Sequence, residues 1–148
     1  MSIAYEINLS KYNIGSFSEL IPAVMEQAMK IGLEILKRIL EERDAEILAR
    51  RDKARFRCKG LQKTSVKTSM GILDLTRRVY VDTSVTEGVH CVCLLDKEMK
   101  IEKIGLTEKA LCERAAALAC ATSYRNAAEI MTAHCAVSES AMGVWNIV

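Results

Sequence analysis

At 148 residues, half of them hydrophobic and 27% charged, the chain is long enough for one domain with a real core and too apolar to be disordered. A single proline and few aromatics argue against a loop-rich or all-β architecture, and no charge-free run reaches membrane-spanning length. Net charge is only +2, but residues 43–78 carry eleven basic and four acidic groups, so the positive excess is local and points to an anionic partner at one place.

The opening MSIAYEINLS lacks the basic region and sustained apolar core of a secretory signal. Cys58, Cys91, Cys93, Cys112, Cys120 and Cys135 are therefore expected reduced, in a cytoplasm. Residues 1–16 read as poorly ordered or lightly docked. Ser16 and Glu19 have capping-box spacing, and Pro22 is best tolerated in a first turn, which places a helix start between Glu19 and Pro22. The helix is expected to run to about Arg50. Ile21, Val24, Ala28, Ile31 and Ile35 form one apolar stripe on it, flanked by Leu33, Leu36 and Leu40. At ~40–45 Å it would exceed what a small core needs. It either packs on its own domain or serves as a dimerising, coiled-coil arm.

The next segment, RRDKARFRCKG, alternates cations with apolar residues as a half-buried strand would, with Phe56 and Cys58 inward. Thr64–Ser69 and Ile72–Val81 read as strands around a Met70-Gly71 turn. Leu73, Leu75, Arg77, Val79 and Val81 fall on one face of the second strand. Cys91–Asp96 reads as a buried strand or a short turn into a helix. Thr107 is a plausible cap for a helix marked by Ala110, Leu111, Ala115, Leu118 and Ala121. Two short helices close the chain: Tyr124, Ala127, Ala128, Met131 and Cys135 line one, and Ala141, Val144, Trp145 and Val148 the other. The last stripe ends without a stop signal, as an apolar surface awaiting a further domain would. The expected fold is α+β and mostly helical, with a long N-terminal helix, a small β-hairpin or three-stranded sheet, and three helices ending in a helix-turn-helix-like pair. It divides into an arm and long helix (1–50), a basic hairpin region (51–105) and a helical region (106–148).

Several strings in order, MSIAYEINL, ERDAEIL, RDKARFRCKG, KTSVKTSMGILDLTRRVYVD, HCVCLLD, SYRNAAEI and GVWNIV, give the chain a family likeness from end to end. It resembles the N-terminal region of bacterial insertion-sequence transposases of the ISLre type, which are Mutator-like and related to DDE-class recombinases. The resemblance implies that the catalytic carboxylates and their two metal ions belong to an RNase H-like domain after the GVWN helix. This chain ends before that domain. It is therefore expected to bind double-stranded DNA at element ends and to assemble, without being an enzyme and without a cofactor, membrane or small-molecule substrate. Ala136 and Glu139 depart from the family pattern, which has a glycine and an apolar residue near them. Alternatives are a protein that pairs with and inhibits full-length transposase, and a non-functional remnant.

The candidate DNA contacts are Arg50, Arg51, Lys53, Arg55, Arg57, Lys59, Lys63, Lys67, Arg77 and Arg78, a basic belt that could be one continuous surface, with Arg125 on a later helix. Phe56 either stacks on a base or joins the core. The final helix carries no cation, so it is a poor reader of base sequence. Cys91-x-Cys93 with His90 and Cys58 is a weak zinc pattern, and buried reduced cysteine accounts for it better. Cys112 and Cys120, two turns apart on one helix, likewise read as packing residues.

Overall fold

The computed structural model describes residues 15–85, 88, 90–104 and 106–148. The opening string lies outside them, and so, except for Gly15 and Ser16, does the reading of residues 1–16 as poorly ordered or lightly docked. Helix α1 spans Phe17–Arg50. The Ser16 hydroxyl accepts from the Glu19 amide at 3.3 Å, and the Glu19 carboxylate accepts from the Gly15 amide at 2.8 Å, a capping box displaced one residue outward. The helix starts earlier than expected, so Pro22 falls in its second turn, where it has no N–H to offer the Ser18 carbonyl. With 34 residues the helix is about 50 Å long.

Strands β1 (Phe56–Thr68) and β2 (Gly71–Asp82) pair antiparallel around a Ser69-Met70 turn. The Thr68 hydroxyl fixes that turn, donating to the Gly71 carbonyl at 2.9 Å and accepting from the Met70 amide at 3.2 Å. Gly71 has φ 134°, and a Cβ there would lie 2.8 Å from Leu33 Cδ1, so glycine is what lets the hairpin tip meet α1. Three short strands, β3 (Cys91–Val92), β4 (Lys103–Ile104) and β5 (Thr107–Glu108), extend the sheet to the order β3-β2-β1-β5-β4. The sheet is thus larger than a hairpin or three strands; each added strand is only two residues long, too short to leave a periodicity in the sequence. Between β3 and β4, Leu94–Glu98 forms the short helix α2.

A bulge in β1 shifts the register between Cys58 and Gly60, leaving Lys59 as the extra residue. Opposite it the buried set of β2 changes parity: Leu73, Leu75 and Arg77 are buried in one half, Tyr80 and Asp82 in the other. The alternation read from sequence therefore holds to Arg77 and then breaks. Cys58 is exposed rather than inward, and Phe56 is only half-buried.

The interior has two parts. Leu40 and Ile47 of α1 pack with Leu73, Leu75 and Leu95, with Leu33, Leu36, Leu94 and Ile101 around them. Helices α3 (Lys109–Ala121), α4 (Tyr124–His134) and α5 (Ala141–Ile147) enclose Leu111, Ala115, Ala127, Ala128, Met131, Val137 and Val144. The long helix and the sheet thus share a core. Among the described residues, links between the two parts include the Ala136 amide to the Ser69 carbonyl at 3.1 Å and the Lys67–Glu139 ion pair at 2.9 Å, while the Lys67 amide donates to the Leu106 carbonyl at 2.7 Å ahead of α3.

Several local expectations change. Glu108, not Thr107, caps α3, its carboxylate accepting from the Ala110 amide at 3.3 Å, because Thr107 is held in β5. Cys112 is buried and Cys120 exposed, so only one of them packs inside. On α5, Val144 is buried and Ile147 packs on the core, while Trp145 and Val148 face outward. The α3 stripe is carried by Leu111, Cys112 and Ala115, with Ala110 and Ala121 exposed.

Candidate nucleic-acid interface

The basic residues of the middle segment fall into two groups. In the first, each cation has a partner within the protein. Arg78 donates to Asp44 at 2.6 Å, and the Arg78 amide donates to the same carboxylate at 3.3 Å. Arg77 pairs with Asp96 at 2.9 Å and is itself buried. Arg55 grips Asp82 with two nitrogens, Nε to Oδ1 at 3.1 Å and Nη2 to Oδ2 at 2.9 Å. Arg50 pairs with Glu98, which also takes Arg43 at 2.9 Å. Lys67 pairs with Glu139. Arg51 donates to the carbonyls of Leu48 and Phe56 and lies 5.7 Å above the Tyr80 ring, closing the C-terminal end of α1 onto the sheet.

Two titrating groups show the effect. The Arg55 guanidinium, followed by the Ser84 hydroxyl at 2.6 Å, holds the Asp82 carboxyl well below the usual carboxylate range. The hydrogen bond from Arg55 to Asp82 in turn raises the guanidinium above its ordinary value. Burial pushes the Tyr80 phenol up. Phe56, a candidate for base stacking, has Arg55 4.8 Å above its ring centroid, so one face is already covered.

The second group is Lys53, Arg57, Lys59 and Lys63. All four are exposed and none forms an ion pair among the described residues. They occupy the turn after α1 and the first half of β1. The bulge sets Lys59 out of the ladder, with its ammonium 3.5 Å from the Cys91 sulfur. Lys63 stands opposite Thr76, on the side of the hairpin that also carries Ser65 and Asp74, themselves hydrogen-bonded at 2.5 Å. The expected continuous belt is therefore not a row of free cations: Arg77 is buried, and the unpaired charges gather at one end of the hairpin. Arg125 is exposed on α4, a separate element. The outward side of α5 carries Met142, Trp145 and Asn146, with no cation.

Among the described residues, no three His, Cys, Asp or Glu side chains converge as metal ligands. None of the described helices is long and apolar enough to cross a membrane.

Over residues 11–148 the chain matches the model of the Uncharacterised protein family (UPF0236). It belongs to that family. No curated protein and no solved structure matches it.

In this family member, sequence reading located the cations and missed the acids that meet them. Asp82, Asp96, Glu98 and Glu139 come from segments that are net acidic, so the charge asymmetry along the chain is largely cancelled in space. Two of these pairings had a readable signal. Asp44 interrupts the apolar series Leu36, Leu40, Ile47, and Arg77 interrupts Leu73, Leu75, Val79; a charge inside an apolar stripe needs a buried partner. Glu139 stands directly before Ser140, the N-cap of α5, and its side chain is only 3% exposed because it turns inward to Lys67.

Proposed function

We propose that this chain is a DNA-binding and assembly module, the part of a transposase-like protein that contacts the duplex and carries out no chemistry itself. Lys53, Arg57, Lys59 and Lys63 are the residues assigned to phosphate. The observation that carries the reading is their exposure without acidic partners among the described residues, on a hairpin whose other cations are neutralised. Three solvated cations on a two-stranded ribbon, with Lys53 in the turn that leads into it, suit a groove-bound or backbone-bound strand pair, since a β-ribbon fits the major groove of B-DNA. The ordered likeness to insertion-sequence transposases supports the same reading. Arg50, Arg51, Arg55, Lys67, Arg77 and Arg78 then have a structural task, tying α1, α2, the hairpin and the helical cluster to one another.

The test is a fluorescence-anisotropy titration of labelled duplex DNA at several salt concentrations. Affinity should fall steeply with salt. Replacing Arg57, Lys59 and Lys63 together by alanine should weaken binding roughly 10–100-fold at low salt and flatten the log–log slope by about 0.9 for each phosphate no longer neutralised. Lys109→Ala, which removes an exposed cation paired with Glu102 elsewhere on the surface, is the control and should change little. No binding at low salt, or equal binding by the triple variant, would overturn the reading.

A further inference from the structure

Helix α1 carries a second apolar stripe that the other described residues leave largely exposed. Phe17, Ile21, Val24, Ala28, Ile31 and Ile35 follow strict steps of four and three, a 3.5-residue repeat. The stripe that packs on the sheet is a different one, Leu33, Leu36, Leu40 and Ile47. Phe17 is 75% exposed, Ile21 50% and Val24 46%, and the flanking Met25 and Ile39 are each 52% exposed. Ala28 is exposed and Ile31 half-buried. The charged residues of this stretch lie to the side, where Glu26 and Lys30 pair with each other at 2.5 Å.

We propose that this stripe is the seam of an antiparallel homodimer, in which α1 of one copy lies along α1 of a second copy. Two observations select the occupant. The first is area. Within residues 17–35, Phe17, Ile21, Val24, Met25 and Ile35 are each at least 36% exposed, a contiguous apolar surface far larger than scattered hydrophobic residues leave. The second is charge and fit. A parallel pair would continue the same repeat into Arg38 against Arg38, a like-charge layer. An antiparallel pair centred on Glu26 closes on itself: Phe17 meets Ile35, Ile21 meets Ile31 and Val24 meets Ala28, each twice by symmetry. Its flanking contacts are Met25 with Met25, Gln27 with Gln27 and Leu20 with Glu34, none of them like-charged. The overlap of residues 17–35 is about 27 Å, and Pro22 faces away from the seam. The two sheets then sit at opposite ends of the helical pair. The proposal is independent of DNA binding, and its readout is mass and cross-linking.

The experiment is sedimentation equilibrium of the full chain, followed by cross-linking. The wild-type chain should shift from monomer to dimer across roughly 1–100 μM. Ile21→Glu with Val24→Glu should weaken association more than tenfold while leaving the helical circular-dichroism signal intact, because both positions face solvent in the monomer. Orientation is read in a background with Cys58, Cys91 and Cys120 replaced by serine. Val24→Cys protomers mixed with Ala28→Cys protomers should form a disulfide, and Val24→Cys protomers alone should not. A disulfide in the Val24→Cys protein alone would overturn the antiparallel arrangement. A wild-type monomer throughout that range would overturn the dimer. A full chain that is monomeric but dimerises once residues 1–14 are deleted would also overturn it, by assigning the stripe to the chain's own leading segment.

Discussion

The two ends of α1 obey the same local rules and meet different surroundings. From Leu33 to Arg50 the helix lies on the sheet: Leu40 and Ile47 are buried, Asp44 takes Arg78, and Arg51 closes the end over Tyr80. Toward the N-terminus, from Phe17 to Ile31, an equally apolar sequence keeps most of its large side chains in water. Both ends are amphipathic at helical spacing. What separates them is the sheet's extent, because the hairpin tip meets α1 around Gly32 and Leu33, where Met70 Sδ and Gly71 make their close approaches. Periodicity says that a stripe will seek cover. Which cover it finds depends on the length of its neighbour.

The sharpest way to break this comparison is to make one substitution at both ends. Ile47→Ser removes a nearly completely buried side chain from the core shared by α1, β2 and α2. Lost transfer energy, a residual cavity and an unsatisfied hydroxyl should together lower unfolding free energy by about 3–5 kcal/mol. Urea denaturation followed by circular dichroism measures it. A loss below ~1 kcal/mol would mean that the docked end is not seated as described.

Part of the fold is legible in the amino-acid sequence. The long helix, its end at Arg50, the hairpin and the α4 stripe of Ala127, Ala128 and Met131 all follow from periodicity and cap spacing, because each repeats over enough residues to be read. Two-residue strands do not, and the bulge at Lys59 breaks the alternation that placed Cys58 inward. The candidate site is legible in composition but not in pairing. Eleven cations in residues 43–78 are visible at once, yet Asp82, Asp96, Glu98 and Glu139 reach them through tertiary contacts that no local pattern encodes. Only the two charges embedded in apolar stripes, Asp44 and Arg77, advertised their partners.

A smaller effect, at the sheet end of the comparison, is dependence on acid. Asp82 is depressed chiefly by its hydrogen bonds from Arg55, so its folded-state value lies below its unfolded one. A depressed carboxyl contributes its stability in full above the unfolded value, near 4, and loses it as pH falls toward the folded value. Stability should therefore decline as pH drops below about 4. Arg55→Gln should make that decline shallower while lowering stability at neutral pH. Because Arg55 is half-exposed, its contribution is screened and ranks below the loss at Ile47. Parallel pH profiles for the wild type and the Arg55→Gln variant would show that Asp82 is not held by this pair.

The smallest effect on folding is expected where the same exchange is made at the other end. Ile21→Ser replaces a side chain that is half-exposed in the monomer, and isoleucine and serine differ little in helix propensity. Measured at protein concentrations too low for association, unfolding free energy should change by no more than about 0.5 kcal/mol. At high concentration the two proteins should part. A dimer binds only folded chains, so the wild type should gain apparent stability with concentration and the variant should gain much less. The Ile47→Ser protein should behave in the opposite sense, unstable at every concentration but still gaining from association, since its seam is intact. If Ile21→Ser proves as costly as Ile47→Ser in the dilute limit, the N-terminal end of α1 is covered within one chain, and the contrast between the two ends of the helix disappears.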